Sequence, residues 1–201
     1  RPLDADPPLN PCSRKGEVRA RVAERLFEAH RRGDVLAASG RASDFYGPGG
    51  RLTHLGDQFW RGALRRGRGM VLVDPDAIHT YHYLPDVAAG LMALGCAGAD
   101  ACGRPWMLPC APAGTMRELV ARFSRELGRE IRLATMPRWM VKALGLAVPL
   151  VREVDEMMYQ WDGPFVVDDR RFRERFGARP ADPAEAAAAT VAWAQRVYSG
   201  A

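Results

Sequence analysis

The chain alternates short apolar runs with segments of helical periodicity, and this alternation constrains the fold more than any other feature of the sequence. Repeated alternation of strands and helices is typical of α/β proteins with a parallel sheet. We therefore expect an α/β protein that combines part of a Rossmann-like doubly wound parallel sheet, with about three buried strands, and a smaller mixed α/β lobe. The predicted helices are 14–30, 56–64, 85–94, 116–127, 137–144, 148–160 and 183–197, and the predicted strands are 34–39, 70–73, 80–83, 104–108, 131–134 and 165–167.

Polar residues mark the start of two of these helices. Ser13 precedes the first helix, and Thr115 with Glu118 three positions later forms a capping-box pattern. By contrast, the segment Gly40–Gly50 contains too much glycine and proline for regular structure, and we predict a turn region there.

The net charge of +5 does not indicate a nucleic-acid partner. The basic residues are scattered, and the densest stretch, Arg170–Arg175, is interleaved with acidic residues and has no aromatic ladder or DNA-reading motif. We therefore expect no nucleic-acid partner. Of the 29 basic residues only Lys15 and Lys142 are lysines, so a lysine at a particular position is less readily explained by composition.

The cysteines and the hydropathy pattern favour a cytoplasmic protein. The four cysteines have no Cys-x-x-Cys spacing and no histidine at zinc-ligand intervals, so we expect reduced thiols and no metal site. No apolar run reaches the roughly 18 residues that a membrane span needs, and no signal-peptide pattern is present, so we expect no membrane association. The cysteines are Cys12, Cys96, Cys102 and Cys110.

Two motifs occur in a fixed order and together resemble a known family. Residues 41–49 read Arg-Ala-Ser-Asp-Phe-Tyr-Gly-Pro-Gly, and residues 79–87 read His-Thr-Tyr-His-Tyr-Leu-Pro-Asp-Val. The first is similar to the Arg-x-x-Asn-x-Tyr-Gly-Pro-Gly turn of the NAD-dependent epimerase/dehydratase family, within the extended short-chain dehydrogenase/reductase superfamily. The second is similar to its Arg-Asp-Tyr-x-x-Val-x-Asp-Val stretch. Asp44 stands where asparagine is usual, and His79 and Thr80 stand where Arg-Asp is usual.

The resemblance implies NAD or NADP as the cofactor, a small-molecule substrate and an enzyme that can form a homodimer. It covers nearly this whole chain but only the latter part of the family's. The family's glycine fingerprint, Gly-x-Gly-x-x-Gly or Gly-x-x-Gly-x-x-Gly, which holds the cofactor pyrophosphate at a helix N-terminus, occurs nowhere in the sequence. We therefore expect a C-terminal portion that by itself binds the dinucleotide weakly or not at all. Residues 1–50 would be the remnant of the Rossmann domain, and residues 51–201 mainly a substrate-binding lobe with segments that return to the sheet.

The resemblance also implies a catalytic Tyr-x-x-x-Lys pair at the start of the first helix. Lys15 matches the lysine, which in the family binds the nicotinamide ribose and lowers the tyrosine pKa by its charge. Pro11 stands at the tyrosine position, and proline has no proton to exchange. Lys15 is therefore a candidate catalytic and cofactor-binding residue, although a solvated lysine remains the alternative. Any acid/base group must lie elsewhere, and Tyr81, Tyr83, His79 and His82 are the nearest candidates by chemistry.

The first motif supplies further candidates for the cofactor site. Ser43 and Asp44 would face the nicotinamide, unless they serve only local turn chemistry, and Arg41 would reach a phosphate or a carboxylate. Tyr46 is a candidate substrate-binding residue whose alternative is packing. The second motif makes His79, Tyr81 and Tyr83 candidate substrate-binding residues, and a histidine at position 79 argues against a substrate phosphate there. Residues that could line an apolar substrate pocket, or simply the core, are Trp139, Met140, Met157, Met158, Tyr159 and Trp161.

Three functions remain open at this point. The first is an NAD(P)-dependent oxidoreductase or epimerase-like enzyme, acting on a small hydroxyl or carbonyl substrate that could be sugar-derived, with an unusual acid/base group. The second is a non-catalytic NAD(P)-binding regulator or sensor with the same fold, which the missing tyrosine favours. The third is an inactive fragment, which the missing glycine fingerprint favours.

Overall fold

The computed structural model describes residues 2–3, 10–72, 74–135, 140–141, 158–161 and 163–199. Helices and strands alternate along them, which confirms the α/β class. The helices are α1 (Arg14–Arg31), α2 (Asp57–Arg66), α3 (Leu84–Gly95), α4 (Met116–Leu127), α5 (Arg170–Phe176) and α6 (Pro183–Tyr198). The strands are β1 (Ser39–Arg41), β2 (Asp44–Tyr46), β3 (Arg68–Val71), β4 (Tyr81–Tyr83), β5 (Pro105–Met107) and β6 (Arg132–Thr135).

The strands of the described chain form three parallel pairs. β1 pairs with β5, β2 with β4 and β3 with β6. Asp44 lies opposite Tyr81 in the second pair, which places the two sequence motifs side by side. Parallel neighbours require crossover connections, and helices between the paired strands provide them.

Local signals fixed several helix ends as predicted. The Ser13 side chain accepts a hydrogen bond from the Gly16 N–H, and Thr115 and Glu118 form the complete capping box of α4.

Gly47, just after β2, has φ of 123°, and a Cβ there would lie 2.9 Å from the Tyr83 ring. Only glycine fits this turn without strain.

The hydrophobic core is in two parts. The larger part lies between α2, α4, α6 and the β3–β6 pair and is centred on Phe59, Trp60 and Phe123, all fully buried. The smaller part joins β5 to α3 and α5 through Trp106 and Phe172. In contrast, α1 buries none of its residues, and Val18 and Val22 on its apolar face are exposed.

Three predictions of secondary structure need correction, and one helix was missed. The run 34–39 is not a buried strand, because Val35 and Leu36 are exposed and β1 begins only at Ser39. The segment Gly40–Gly50 is not irregular throughout, since it contains the end of β1 and all of β2. Residues 165–167 form isolated bridges rather than a strand. Helix α5 was not predicted, because its arginines suggested a solvated segment and concealed the buried Phe172. The predicted helix 137–144 and most of the predicted helix 148–160 lie outside the described residues.

Candidate functional site

Polar side chains gather just beyond the carboxyl end of β1, where Ser43 and Asp44 lead into β2. They thus follow the carboxyl end of β1, the kind of edge where α/β proteins usually bind ligands, but lie at the amino end of β2. The parallel pairing of β2 with β4 brings residues 79–83 to the same place. Two separate groups of side chains result, one around Asp44 and one around His82.

The first group, here named the Asp44 cluster, consists of Asp44, His54, His79 and Trp161. The Trp161 Nε1–H donates to Asp44 Oδ2 at 2.9 Å. His79 Nε2 lies 3.0 Å from the same oxygen, and His54 Nε2 lies 3.9 Å from Oδ1. A carboxylate thus stands between two imidazoles and an indole N–H.

Aromatic contacts hold the two imidazoles of this cluster. The His54 ring meets the Trp161 ring edge-on, with centroids 4.8 Å apart, and the His79 ring stacks on Phe165 at 4.9 Å. His79 also contacts Tyr81 at 4.9 Å. Both rings are therefore oriented by packing as well as by charge.

Electrostatics favour a charged carboxylate beside a neutral His54. Burial alone would raise the pKa of Asp44, but the contacts with His79, His54 and Trp161 outweigh it and lower that pKa below its usual value. Burial lowers the pKa of His54, although the Asp44 charge opposes this. The side chains of His54 and Asp44 remain 25% and 22% exposed, so a ligand could reach both.

His79 is placed differently, because its side chain is almost fully buried. Its Nδ1 has no hydrogen-bond partner among the described residues. Its Nε2 lies 3.0 Å from Asp44 Oδ2 without the alignment of a hydrogen bond. A buried unpaired nitrogen is costly and unusual in a folded protein.

The second group, here named the His82 network, joins Ser43, Thr80, His82 and Leu108. The Ser43 N–H donates to His82 Nδ1 at 3.1 Å, and His82 Nε2 lies 3.1 Å from the Leu108 carbonyl oxygen. The Ser43 hydroxyl donates to the Thr80 carbonyl oxygen. If His82 is neutral with its proton on Nε2, Nδ1 accepts from the Ser43 N–H and the Nε2–H donates to the Leu108 carbonyl oxygen. Burial lowers the pKa of His82, which favours the same neutral form.

The tyrosines of the two motifs are packed rather than activated. Tyr46 is 3% exposed, and its ring lies 5.5 Å from that of Tyr83 and 6.1 Å from that of Phe123. This location supports the packing interpretation of Tyr46. Burial raises the pKa of Tyr46, Tyr81 and Tyr83 above the usual value, so none of the three is predisposed to form a tyrosinate.

The other two predicted cofactor residues, Lys15 and Arg41, belong to α1 and β1, and a cavity lies between these two elements. This cavity of about 530 Å³ is lined by Asn10, Pro11, Gly16, Ser39 and Arg41, together with the exposed apolar face of α1. Lys15 is half-buried in the first turn of the same helix. The structure therefore places Arg41 at this cavity and Asp44 in the other group, although only two residues separate them.

Sequence reasoning missed His54. It lies between α2 and the first motif in a segment of turns, with no pattern that distinguishes it. Trp161 was a candidate for an apolar pocket, but its hydrogen bond to Asp44 across 117 positions could not be predicted. Tyr81 and Tyr83 were acid/base candidates, and their raised pKa values count against that role. Trp139, Met157 and the side chain of Tyr159 lie outside the described residues.

Neither a metal site nor a membrane-spanning helix is found among the described residues. No group of three or more histidine, cysteine, aspartate or glutamate side chains in the described chain could hold a metal ion. No helix in the described ranges is long and apolar enough to cross a membrane.

Comparison of the whole structure with known proteins identifies the fold. No family model matches the sequence, and no curated protein is similar to it. Among solved structures, dTDP-glucose 4,6-dehydratase from Bacillus anthracis aligns over 99% of this chain and 57% of its own, with a TM-score of 0.71 and 14% identity. UDP-glucuronic acid 4-epimerase from Bacillus cereus aligns over 98% and 57%, with a TM-score of 0.76 and 10% identity.

A third similar structure, UDP-glucose 4-epimerase from Bifidobacterium longum, aligns over 100% of this chain and 60% of its own, with a TM-score of 0.72 and 14% identity. The chain has the fold of these dehydratase and epimerase structures. Identities this low show the fold alone, and the chain spans less than two thirds of the length of these structures.

Proposed function

We propose that this chain belongs to an NAD(P)-dependent oxidoreductase or epimerase-like enzyme of the NAD-dependent epimerase/dehydratase family, acting on a small hydroxyl or carbonyl substrate. The observation that carries the proposal is the Asp44 cluster, a charged carboxylate between two imidazoles at the amino end of the β2–β4 pair. The fold supports it, because similar structures are described as dehydratases and epimerases with NAD bound. In this proposal the protein is cytoplasmic, has no nucleic-acid or membrane partner and can form a homodimer.

The cavity between α1 and β1 is suited to one part of the dinucleotide. Asn10, Ser39 and Arg41 offer hydrogen-bond donors, and Val18 and Val22 offer an apolar wall. A nicotinamide riboside has an amide, hydroxyls and a flat ring, which match such donors and such a wall. Lys15 would bind the ribose. When bound, the nicotinamide supplies hydride acceptance or donation, and this chain's residues would orient it and exchange the accompanying proton.

A second candidate function is a non-catalytic NAD(P)-binding regulator. The observation that favours it is Pro11, at the position where the family has its tyrosine. The raised pKa values of Tyr46, Tyr81 and Tyr83 point the same way, since no neighbouring tyrosine among the described residues replaces it easily. Both candidates bind a dinucleotide, and only the first turns over a substrate.

Titration and turnover separate these candidates. NADH and NADPH are each titrated into the purified chain, and we expect saturable binding that is weaker than micromolar, with Kd up to about 1 mM because no glycine-rich turn holds the pyrophosphate. NAD⁺ or NADP⁺ is then combined with UDP-glucose, UDP-glucuronic acid, dTDP-glucose or L-threonine. Reduced cofactor is followed by its absorbance, and conversion of the substrate is followed by chromatography, because an epimerase or dehydratase returns the hydride to its product. Turnover of any one of them supports the enzyme, and binding without turnover of any supports the regulator. No saturable binding of either dinucleotide would contradict both and would favour the third function, a fragment without activity.

Lys15 provides a specific variant for the binding experiment. Lys15→Ala should weaken dinucleotide binding by about 1–3 kcal/mol, the scale of a lost hydrogen bond to a charged group. Arg14→Ala, one position earlier on the same helix turn, is the matched control and should leave the Kd unchanged. Equal Kd values for wild type and Lys15→Ala would return Lys15 to the solvated-surface interpretation.

A further inference from the structure

The proposed enzyme needs a group that exchanges a proton with its substrate, and most candidates fail on geometry or ionisation. Tyr46 is in the core, and burial holds the pKa of Tyr81 and Tyr83 above the usual value. Burial also raises the pKa of the Cys110 thiol to about 12. Among the described residues near the site, the candidates that remain are the histidines.

Two of the three histidines at this place are unsuitable. His82 is fully buried, and both of its ring nitrogens are engaged within the His82 network. His79 is 1% exposed and sealed between Phe165 and Tyr81. A substrate hydroxyl cannot reach either ring without displacing the strands around it.

His54, unlike His79 and His82, is accessible to a substrate hydroxyl. Its side chain is partly accessible, and its edge contact with Trp161 fixes the ring. Its Nε2 faces Asp44, and no hydrogen bond joins its Nδ1 to any residue that the structure describes. The lowered pKa keeps the imidazole neutral at pH 7, which is the form that accepts a proton.

Asp44 is arranged to orient this imidazole. Trp161 and His79 hold one carboxylate oxygen, and the other is left for His54. A carboxylate that faces one imidazole nitrogen fixes the tautomer and stabilises the imidazolium that forms, as in other acid/base pairs. The distance of 3.9 Å is long for a hydrogen bond, but catalytic contacts are commonly long in unliganded sites.

We propose that His54 is the acid/base residue of this site and that Asp44 is its positioning residue, in place of the tyrosine that Pro11 replaces. The inference rests on the proposed function. In the oxidation direction, His54 accepts the hydroxyl proton of a secondary alcohol at Nδ1. The O–H electron pair becomes the second bond of the carbonyl, while the C–H pair leaves as hydride to an oxidised nicotinamide dinucleotide. The products are a ketone, the reduced dinucleotide and an imidazolium that Asp44 stabilises, and His54 later releases the proton to water.

The charged and titratable groups that face His54 set its pH response. Asp44 at the start of β2 raises its pKa, whereas burial and His79 ahead of β4 lower it. Trp161, whose ring also contacts His54, does not titrate. Replacement of Asp44 by asparagine should therefore lower the pKa of His54 further.

The first test requires neither substrate nor cofactor. Imidazole ¹⁵N NMR of the chain, recorded from pH 4 to pH 8, gives the tautomer and pKa of each histidine. We expect His54 to carry its proton on Nε2 and to titrate below the usual value, and Asp44→Asn to shift its titration to lower pH. His30, the histidine at the end of α1, is the internal control and should not respond to Asp44→Asn. A proton on Nδ1 of His54, or a titration indifferent to Asp44→Asn, would overturn the pairing.

The second test uses whichever substrate of the panel is turned over. His54→Gln should lower kcat by about 10²–10⁴-fold and abolish the acidic limb of the pH–rate profile, with the Kd for NADH or NADPH unchanged. Imidazole added to His54→Ala should restore part of the rate, which a structural role would not allow. His30→Gln is the matched control with wild-type kcat. Wild-type turnover with unchanged kcat in His54→Gln overturns the inference and leaves the proposed function intact, whereas binding of neither dinucleotide by the wild type overturns both.

Discussion

His79 lies two residues before β4 and His82 lies within it. Both are buried, yet their surroundings differ. His82 has a partner at each ring nitrogen, and the partners are backbone groups of two other segments. His79 has an unpartnered Nδ1 among the described residues and a carboxylate beside its Nε2. The His82 network therefore resembles a structural clamp, whereas the Asp44 cluster retains unsatisfied polar groups.

This difference shows how burial alone fails to distinguish structural from functional histidines. Folding stabilises a buried polar group only when its hydrogen bonds are made, and an unpaired one costs stability. Unsatisfied and strained groups concentrate at sites of chemistry. The same change, histidine to leucine, made at His82 and at His79 tests whether the first histidine is structural and the second is not.

The largest expected effect is at His82. His82→Leu keeps the volume but leaves the Ser43 N–H and the Leu108 carbonyl without their partner, so the free energy of unfolding should fall by about 2–4 kcal/mol. Urea denaturation at pH 7 measures this, with His30→Leu as the control. A loss below about 1 kcal/mol would remove the structural role that we assign to the His82 network.

Acid should weaken the His82 network. The pKa of His82 is lower in the folded chain than its usual value of 6.5. The unfolded chain then binds more protons, so the stability contributed by neutral His82 is present above pH 6.5 and is lost as pH falls toward the folded value. Urea midpoints from pH 7.5 to pH 5 should decrease in wild type and decrease less in His82→Leu. Parallel pH curves for the two proteins would contradict this assignment.

Ser43 gives an intermediate effect within the same network. Ser43→Ala removes the hydroxyl that donates to the Thr80 carbonyl but keeps the N–H that donates to His82. The free energy of unfolding should fall by about 1 kcal/mol, the net value of one hydrogen bond. Ser124→Ala is a useful comparison, since its hydroxyl donates to the Val120 carbonyl in α4 and also accepts from the Ile131 N–H, so that its loss should be the larger of the two. A loss as large as that of His82→Leu would mean that the hydroxyl, not the imidazole, holds the network together.

The smallest effect on stability is expected at His79. His79→Leu removes an unpaired buried nitrogen, which is favourable, and the contact with Asp44, which is not. These changes oppose one another, so the free energy of unfolding should change by less than about 1 kcal/mol. The same urea measurement applies, side by side with His82→Leu. Equal losses of unfolding free energy in His79→Leu and His82→Leu would contradict the distinction between the Asp44 cluster and the His82 network.

Much of the fold follows from local chemistry that the sequence displays. The capping box of Thr115 and Glu118 and the cap at Ser13 need only a few neighbouring residues, and the structure contains both. The start of β1 was misplaced because Val35 and Leu36 have the composition of a buried strand, while only tertiary packing decides that they are exposed. Composition likewise concealed the buried face of α5 around Phe172.

The candidate site was predictable only in part, because two of its four residues come together only through tertiary packing. Asp44 and His79 belong to two motifs, and the parallel pairing of β2 with β4 brings those motifs together. His54 and Trp161 belong to neither motif and reach Asp44 through loop geometry and a contact across 117 positions. Contacts of this kind depend on the folded structure, so no local pattern in the sequence reports them.

The central claim is that the Asp44 cluster is the chemical centre and that the His82 network is structural. NADH and NADPH are each titrated to about 5 mM, above the weak Kd that we expect, into the ¹⁵N-histidine-labelled chain while the imidazole signals are followed. The account predicts a saturable shift of the His54 ring nitrogens with either or both dinucleotides, and no shift of His82 or His30. A shift of His82 with His54 unchanged, or no shift of any histidine, would contradict it.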